Sequence, residues 1–237
     1  MLRQPSRLVR FVRTPVRIYS PAPPHVLKRT FAEHHSPAIK AESQEPKISQ
    51  IIQQDHRELE DYYNRIVSSK DHDEQERFQN AFIWELARHA ISEELVVYPV
   101  FERVIPNGAQ IADKDREEHQ KVKEQLYEFQ KLKPKDQSFL PTLEALYKDL
   151  KQHFKEEEEH DLVKLEEAIW LAHSRELCEK FEKTKMFTPT RSHPSIPNKP
   201  PFETAVGLMT APIDKLRDLF AKFPDEKSAK PQGGKSQ

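Results

Sequence analysis

The chain has one cysteine, Cys178, in 237 residues. That excludes an internal disulfide and any multi-thiolate zinc or iron–sulfur site, and Cys178 reads as an ordinary helix residue in a reduced compartment. Long apolar runs are also missing. The longest resembles Leu95–Phe101, far short of the roughly 18 residues a membrane-spanning helix needs. Apolar residues make up 36% and charged residues 32%, with a mean hydropathy of −0.84. Globular chains run at about 45–50% apolar, so one core cannot extend through the whole chain. Acids are absent before Glu33, and proline is scarce between residues 47 and 188.

These last two absences divide the chain. Seven of the 19 prolines fall within residues 1–46 and eight within 189–237, leaving only Pro99, Pro106, Pro134 and Pro141 between. Proline removes a backbone donor and clashes inside helices, so the distribution marks tails around one helical domain. Residues 1–32 carry seven cations and no acid, so a net charge of −1 for the chain leaves −8 for the rest. Arginines interleaved with Leu2, Leu8, Val9, Phe11, Val12, Val16 and Ile18 have the amphipathic, acid-free character of a mitochondrial transit peptide. Cleavage is expected after Tyr19, within Arg17-Ile18-Tyr19-Ser20. The expected location is therefore mitochondrial, in the matrix, or cytoplasmic if the segment is a plain basic tail.

From residue 47 to 183 the apolar positions recur at three and four throughout, with no period-two stretch. The first helix uses Ile48, Ile51, Ile52, Leu59, Tyr62, Tyr63, Ile66 and Val67. The second runs from about Asp73 to Val104, with Phe78, Phe82, Leu86, Val96 and Val97 inward, and stops at Ile105-Pro106-Asn107-Gly108. The third uses Ile111, Val122, Leu126 and Phe129, and the fourth starts near Ser138 with Leu143, Leu146, Leu150, Leu162 and Leu165. A shorter helical stretch passes through Leu177 and Phe181. Short connections between long amphipathic helices predict an all-α, up-down-up-down four-helix bundle over 47–183.

Histidines occupy positions on the inward faces. His56 follows Ile52 by four, His89 follows Leu86 by three, His119 precedes Val122 by three, and His153 follows Leu150 by three. One such histidine is usually a hydrogen-bonded core residue; four, one per helix, would leave several buried nitrogens in need of partners. Glu93 follows His89 by four and Glu157 follows His153 by four, which puts each pair on one helix face. Carboxylates at a bundle axis are costly unless paired or metal-bound. Nitrogen and oxygen donors without thiolate suit iron, manganese or zinc. Six donors exceed what one tetrahedral zinc takes, so two carboxylate-bridged ions fit better.

At these residues the chain resembles the hemerythrin-like (HHE cation-binding) family. The matching pieces, in family order and one per helix, are Gln54-Asp55-His56-Arg57-Glu58-Leu59, His89-Ala90-Ile91-Ser92-Glu93-Glu94 with Tyr98-Pro99, Asp115-Arg116-Glu117-Glu118-His119, and His153-Phe154-Lys155-Glu156-Glu157-Glu158. The resemblance implies a centre of two non-haem iron ions with His56, His89, His119 and His153 terminal and Glu93 and Glu157 bridging. Oxygen-carrying members have a further histidine where this chain has Asp115. Asp115 and Glu60, four after His56, are therefore candidate additional ligands, and reversible oxygen carriage is in doubt. His160, seven after His153, is a candidate outer partner or bundle-end residue; His72 and His173 read as ordinary loop or helix-end residues.

After a proline-rich linker, Phe202, Val206, Met209, Ile213, Leu216, Phe220 and Phe223 form an apolar helical stripe over 202–223, interrupted by Pro212 and followed by a disordered tail. It is expected to dock on its own bundle or on a partner. The whole implies an iron- and small-ligand-binding protein, for dioxygen, nitric oxide or peroxide, acting as carrier, sensor or iron handler rather than as an enzyme. Alternatives are a di-iron oxidase or peroxide-consuming enzyme and a metal-free interaction module. No nucleic-acid partner and no transmembrane segment are expected.

Overall fold

The structure, a computed structural model, describes residues 46–199 and 202–225. The targeting segment expected over 1–46, apart from Pro46, and the tail from residue 227 lie outside the described residues. Among the described residues every regular element is helical: α1 (Ile48–Ser68), α2 (His72–Ser92), α3 (Tyr98–Val104), α4 (Gly108–Phe129), α5 (Phe139–Glu156), α6 (Leu162–Ala168), α7 (Leu171–Lys185) and α8 (Phe202–Asp218). One π-helical turn, Glu93–Val97, joins α2 to α3, and another, Glu157–Asp161, joins α5 to α6. The four long rods are thus α1, α2–α3, α4 and α5–α6.

Local chemistry sets their ends. Asp71 caps α2 by accepting from the Asp73 N–H at 2.9 Å. The rod ending at Val104 turns through Asn107, which takes the left-handed conformation at φ 60°. Gly108 then starts α4 so close to Phe101 that a Cβ there would sit 1.8 Å from the Phe101 carbonyl oxygen.

The apolar core lies in two clusters. One gathers Leu59, Phe78, Phe82, Leu86, Leu126, Phe129, Phe139, Leu143 and Leu150; the other gathers Ile48, Ile52, Val97, Tyr98, Phe101, Leu162, Leu165 and Phe181. Each fully buried side chain of this kind contributes about 1.5–3 kcal/mol. On every rod the four histidines fall between the residues of one cluster and those of the other, so a polar layer separates two apolar blocks.

The π turns shift the register of the residues beyond them. Seven after His89 is Val96, yet Val97 is the fully buried residue. Seven after His153 is His160, yet His160 is exposed and Asp161 is buried. An extra residue in each turn moves the inward position by one. The stretch past the fourth rod forms α7, which packs Leu177, Cys178 and Phe181 into the second cluster. On α8 and just beyond it, Ile213, Leu216, Leu219 and Phe220 are exposed, whereas Phe223 packs on the first cluster. The helix is held by Asp218 to Arg191 and Asp214 to His193.

Candidate metal centre

Each rod delivers its part of the polar layer at the same level. α1 presents Asp55 and His56; α2 presents His89, and the π turn after it Glu93 and Glu94. α4 presents Glu118 and His119; α5 presents His153, and its π turn Glu157 and Glu158. Both π turns begin at the carboxylate that enters the layer, and π turns inside α-helices are common at functional sites.

The six predicted side chains come together. His56 Nε2 lies 3.2 Å from His89 Nε2, and His119 Nε2 lies 3.0 Å from His153 Nε2. Glu93 joins the two pairs, with Oε1 3.2 Å from His89 Nε2 and Oε2 3.4 Å from His119 Nε2. Glu157 Oε2 reaches His56 Nε2 at 3.5 Å and His153 Nε2 at 3.9 Å. All six residues are buried. Donor atoms bound about 2.1 Å from one ion stand roughly 3.0–3.4 Å apart, the spacing found within each pair.

The other ring nitrogens explain the orientation. Each Nδ1 donates to a carboxylate: His56 to Glu158 at 2.8 Å, His89 to Asp55 at 3.0 Å, His119 to Glu94 at 3.2 Å and His153 to Glu118 at 2.9 Å. Each carboxylate is in turn held by a cation: Glu158 by Arg57, Asp55 by Lys185, Glu94 by Lys123 and Glu118 by Lys114. With Nδ1 carrying the hydrogen, a neutral ring turns its lone pair out through Nε2, the arrangement second-sphere carboxylates impose on metal-binding histidines. At the His56–His89 pair, two such lone pairs facing each other at 3.2 Å repel unless a cation or a proton lies between them.

Burial sets the charge states. It holds His56 and His89 well below the ordinary histidine range and His119 at about 4. Burial acts the same way on His153, but hydrogen bonding to Glu118 and the nearby Glu157 and Asp115 outweigh it, and its pKa rises. Burial raises Glu93 and Glu157, each further opposed by neighbouring carboxylates. No oxygen of Glu93 or Glu157 has a hydrogen-bond partner. Leaving a buried acceptor unpaired costs about 1–3 kcal/mol, so four such atoms in one layer call for a ligand.

The remaining candidates separate. Asp115 is buried near His153 and Glu118, with one oxygen unpartnered and its pKa pushed up to about 7, chiefly by burial. Glu60 is turned away from the layer: it accepts from the Tyr147 hydroxyl and lines a surface pocket of about 430 Å³ that reaches His56 and Phe154. His72 is exposed at the start of α2, and His173 is half-buried in the first turn of α7.

Sequence reasoning did not assign the four Nδ1 acceptors, although each stands next in sequence to a predicted ligand: Asp55-His56, Glu93-Glu94, Glu118-His119 and Glu157-Glu158. That adjacency was the available signal. Tyr98, whose hydroxyl lies 3.0 Å from His119 Nε2, and Phe154, stacked on His56 at 3.7 Å between ring centroids, complete the walls.

Known families and solved structures offer matches to this chain. The model of the hemerythrin HHE cation binding domain matches residues 47–165. A hemerythrin-like protein of Schizosaccharomyces pombe is 51% identical over 179 residues, covering 75% of this chain and 88% of its own. The crystal structure of a hemerythrin HHE cation binding domain-containing protein from Mycobacterium kansasii superposes with a TM-score of 0.53 at 18% identity, over 60% of this chain and 86% of that one. At that identity the likeness speaks for the fold.

Proposed function

Because this chain belongs to the hemerythrin HHE cation-binding family, we propose that it binds two non-haem iron ions across Glu93 and Glu157 and, at that centre, a small ligand such as dioxygen, nitric oxide or peroxide. His56 and His89 would hold one ion and His119 and His153 the other. The observation that carries this reading is the set of four buried, unpartnered carboxylate oxygens among four Nε2 atoms. A metal-free bundle gains nothing from that layer, whereas cations satisfy it.

Imidazole and carboxylate donors without thiolate suit iron or manganese, and their number exceeds a single tetrahedral zinc site. Bound iron would supply electron exchange with the small ligand. The chain supplies the rest. The Nδ1 bonds to Glu158, Asp55, Glu94 and Glu118 fix the rings. Phe154 stacks on His56, and Phe181 stands edge-on to His89 at 5.9 Å, so apolar rings flank that pair. The Tyr98 hydroxyl, 3.0 Å from His119 Nε2, would be available as a donor to a small ligand if that nitrogen held an ion. These features support a role in carrying, sensing or iron handling.

Reconstitution with ferrous iron under anaerobic conditions tests the reading. Two irons per chain should survive desalting, and nitric oxide should change the absorption spectrum. Retention of no metal, or of one zinc, would overturn it. The basic, acid-free first 32 residues support a mitochondrial location. Chain isolated from mitochondria should then begin at Ser20, and an intact Met1 with cytoplasmic fractionation would contradict that part.

A further inference from the structure

The family match ends at residue 165, and α7 lies beyond it. We infer that Lys185, the last residue of α7, is a positioning residue of the metal centre, fixing Asp55 and through it the ring of His89. The inference rests on the metal reading above. Lys185 Nζ lies 2.6 Å from Asp55 Oδ2, the same oxygen that receives the His89 Nδ1–H at 3.0 Å. It also pairs with Glu85. Only 6% of Lys185 is exposed, and lysine is almost never buried so deeply unless it is paired. Its ammonium is directed to acids on α1 and α2 rather than to the open carbonyls of its own helix end, where a cation merely ending a helix would turn.

Comparison of the four histidines supports the assignment. Each Nδ1 leads to a carboxylate and then to a cation. Three of those cations, Arg57, Lys123 and Lys114, lie on the bundle rods α1 and α4. The fourth is supplied from outside the four rods, by α7. Arg88 does not replace it, because its guanidinium is turned to Glu85 at 2.5 Å. Without Lys185 the buried Asp55 loses its close cation and keeps the His89 N–H with the weaker influence of Arg88 and Glu85. Its carboxylate would then be free to swing away, which loosens the hold on His89. The C-terminal extension is thus part of the centre.

Cobaltous ion, titrated into the full chain, is the probe. Wild type, Lys185→Met, Asp55→Asn, the double variant, and Lys183→Met as an exposed control on the same helix are compared by stoichiometry, affinity and cobalt absorption bands. Outer-sphere changes of this kind cost about 10–100-fold in metal affinity. Lys185→Met should lose that much for one of the two ions and shift the bands, while Lys183→Met matches wild type. In the Asp55→Asn background the lysine change should alter affinity by less than about threefold, because the two residues act as one unit. Wild-type affinity and bands in Lys185→Met would overturn the inference, as would an undiminished loss in the Asp55→Asn background. If Lys185→Met fails to fold, Asp55→Asn against the double variant decides by the same threefold criterion. A wild-type chain that takes up no cobalt overturns the metal reading and this one with it, whereas two ions bound equally by wild type and Lys185→Met overturn this one alone.

Discussion

The two halves of the centre are built alike and finished differently. Asp55-His56 followed 33 residues after His56 by His89, with Glu93-Glu94 beyond, corresponds to Glu118-His119 followed 34 residues later by His153, with Glu157-Glu158 beyond. Both halves enter a π turn at the shared carboxylate. The finishing residues diverge. Four before His56 is Ile52, and four before His119 is Asp115; five after Glu157 is Leu162, and five after Glu93 is Tyr98. Around His56 and His89 stand Phe154 and Phe181, rings that offer no donor to the two facing lone pairs. Beside His119 stand a tyrosine hydroxyl and a histidine inclined to keep a proton. On the proposed reading, what the halves share would hold an ion, and what differs would meet a small ligand.

Removing a shared part should have the largest effect. Glu93→Ala and Glu157→Ala are each expected to leave less than one ion per chain by elemental analysis, a loss exceeding the roughly 10–100-fold of an outer-sphere change. In metal-free protein the same substitutions should raise stability by about 1–3 kcal/mol, because unpaired buried oxygens are removed; calorimetry reads both signs.

The pH dependence of the metal-free chain sharpens the comparison next. Burial pushes Asp115 up to about 7 and Glu157 to about 8. Their stabilising contribution is whole below the ordinary carboxylate range and is lost as pH rises through those values. His119, held at about 4 by burial, works oppositely: its contribution is present above the ordinary 6.5 and lost as pH falls toward 4. Between pH 6.5 and 8 these carboxylates, with Glu93 and His153 raised in the same sense, therefore dominate. Metal-free protein should lose on the order of 2 kcal/mol across that window, measured by denaturant titration, and metal-loaded protein should not.

A smaller effect distinguishes the halves as ligand sites. Tyr98→Phe should retain two ions yet bind azide about five- to tenfold more weakly, the worth of one hydrogen bond, by optical titration. Smallest of all, His160→Ala should change stability by less than about 0.5 kcal/mol and leave metal content untouched, because the π turn leaves that ring in solvent.

Helix number, rod order and the meeting of six side chains in one layer were legible because periodicity and the four-residue His–Glu offset are local properties. The π turns were not, because an altered hydrogen-bond register leaves no mark in composition. They are the reason Val97 and Asp161 point inward where counting by seven gives Val96 and His160. The Nδ1 acceptors were hidden for another reason. Glu158 meets His56 across 102 residues and Lys185 meets Asp55 across 130, so on their own helices these read as surface charge. The stripe on α8 was visible as amphipathic, but periodicity does not say which face is covered, and Ile213, Leu216 and Phe220 are exposed.

X-ray absorption of the iron-loaded chain tests most directly the proposal that two ions share Glu93 and Glu157. It should show nitrogen and oxygen neighbours together with a second iron at about 3.5–4 Å, the usual separation in carboxylate-bridged pairs. Iron with no iron neighbour, at one or two ions per chain, would contradict it.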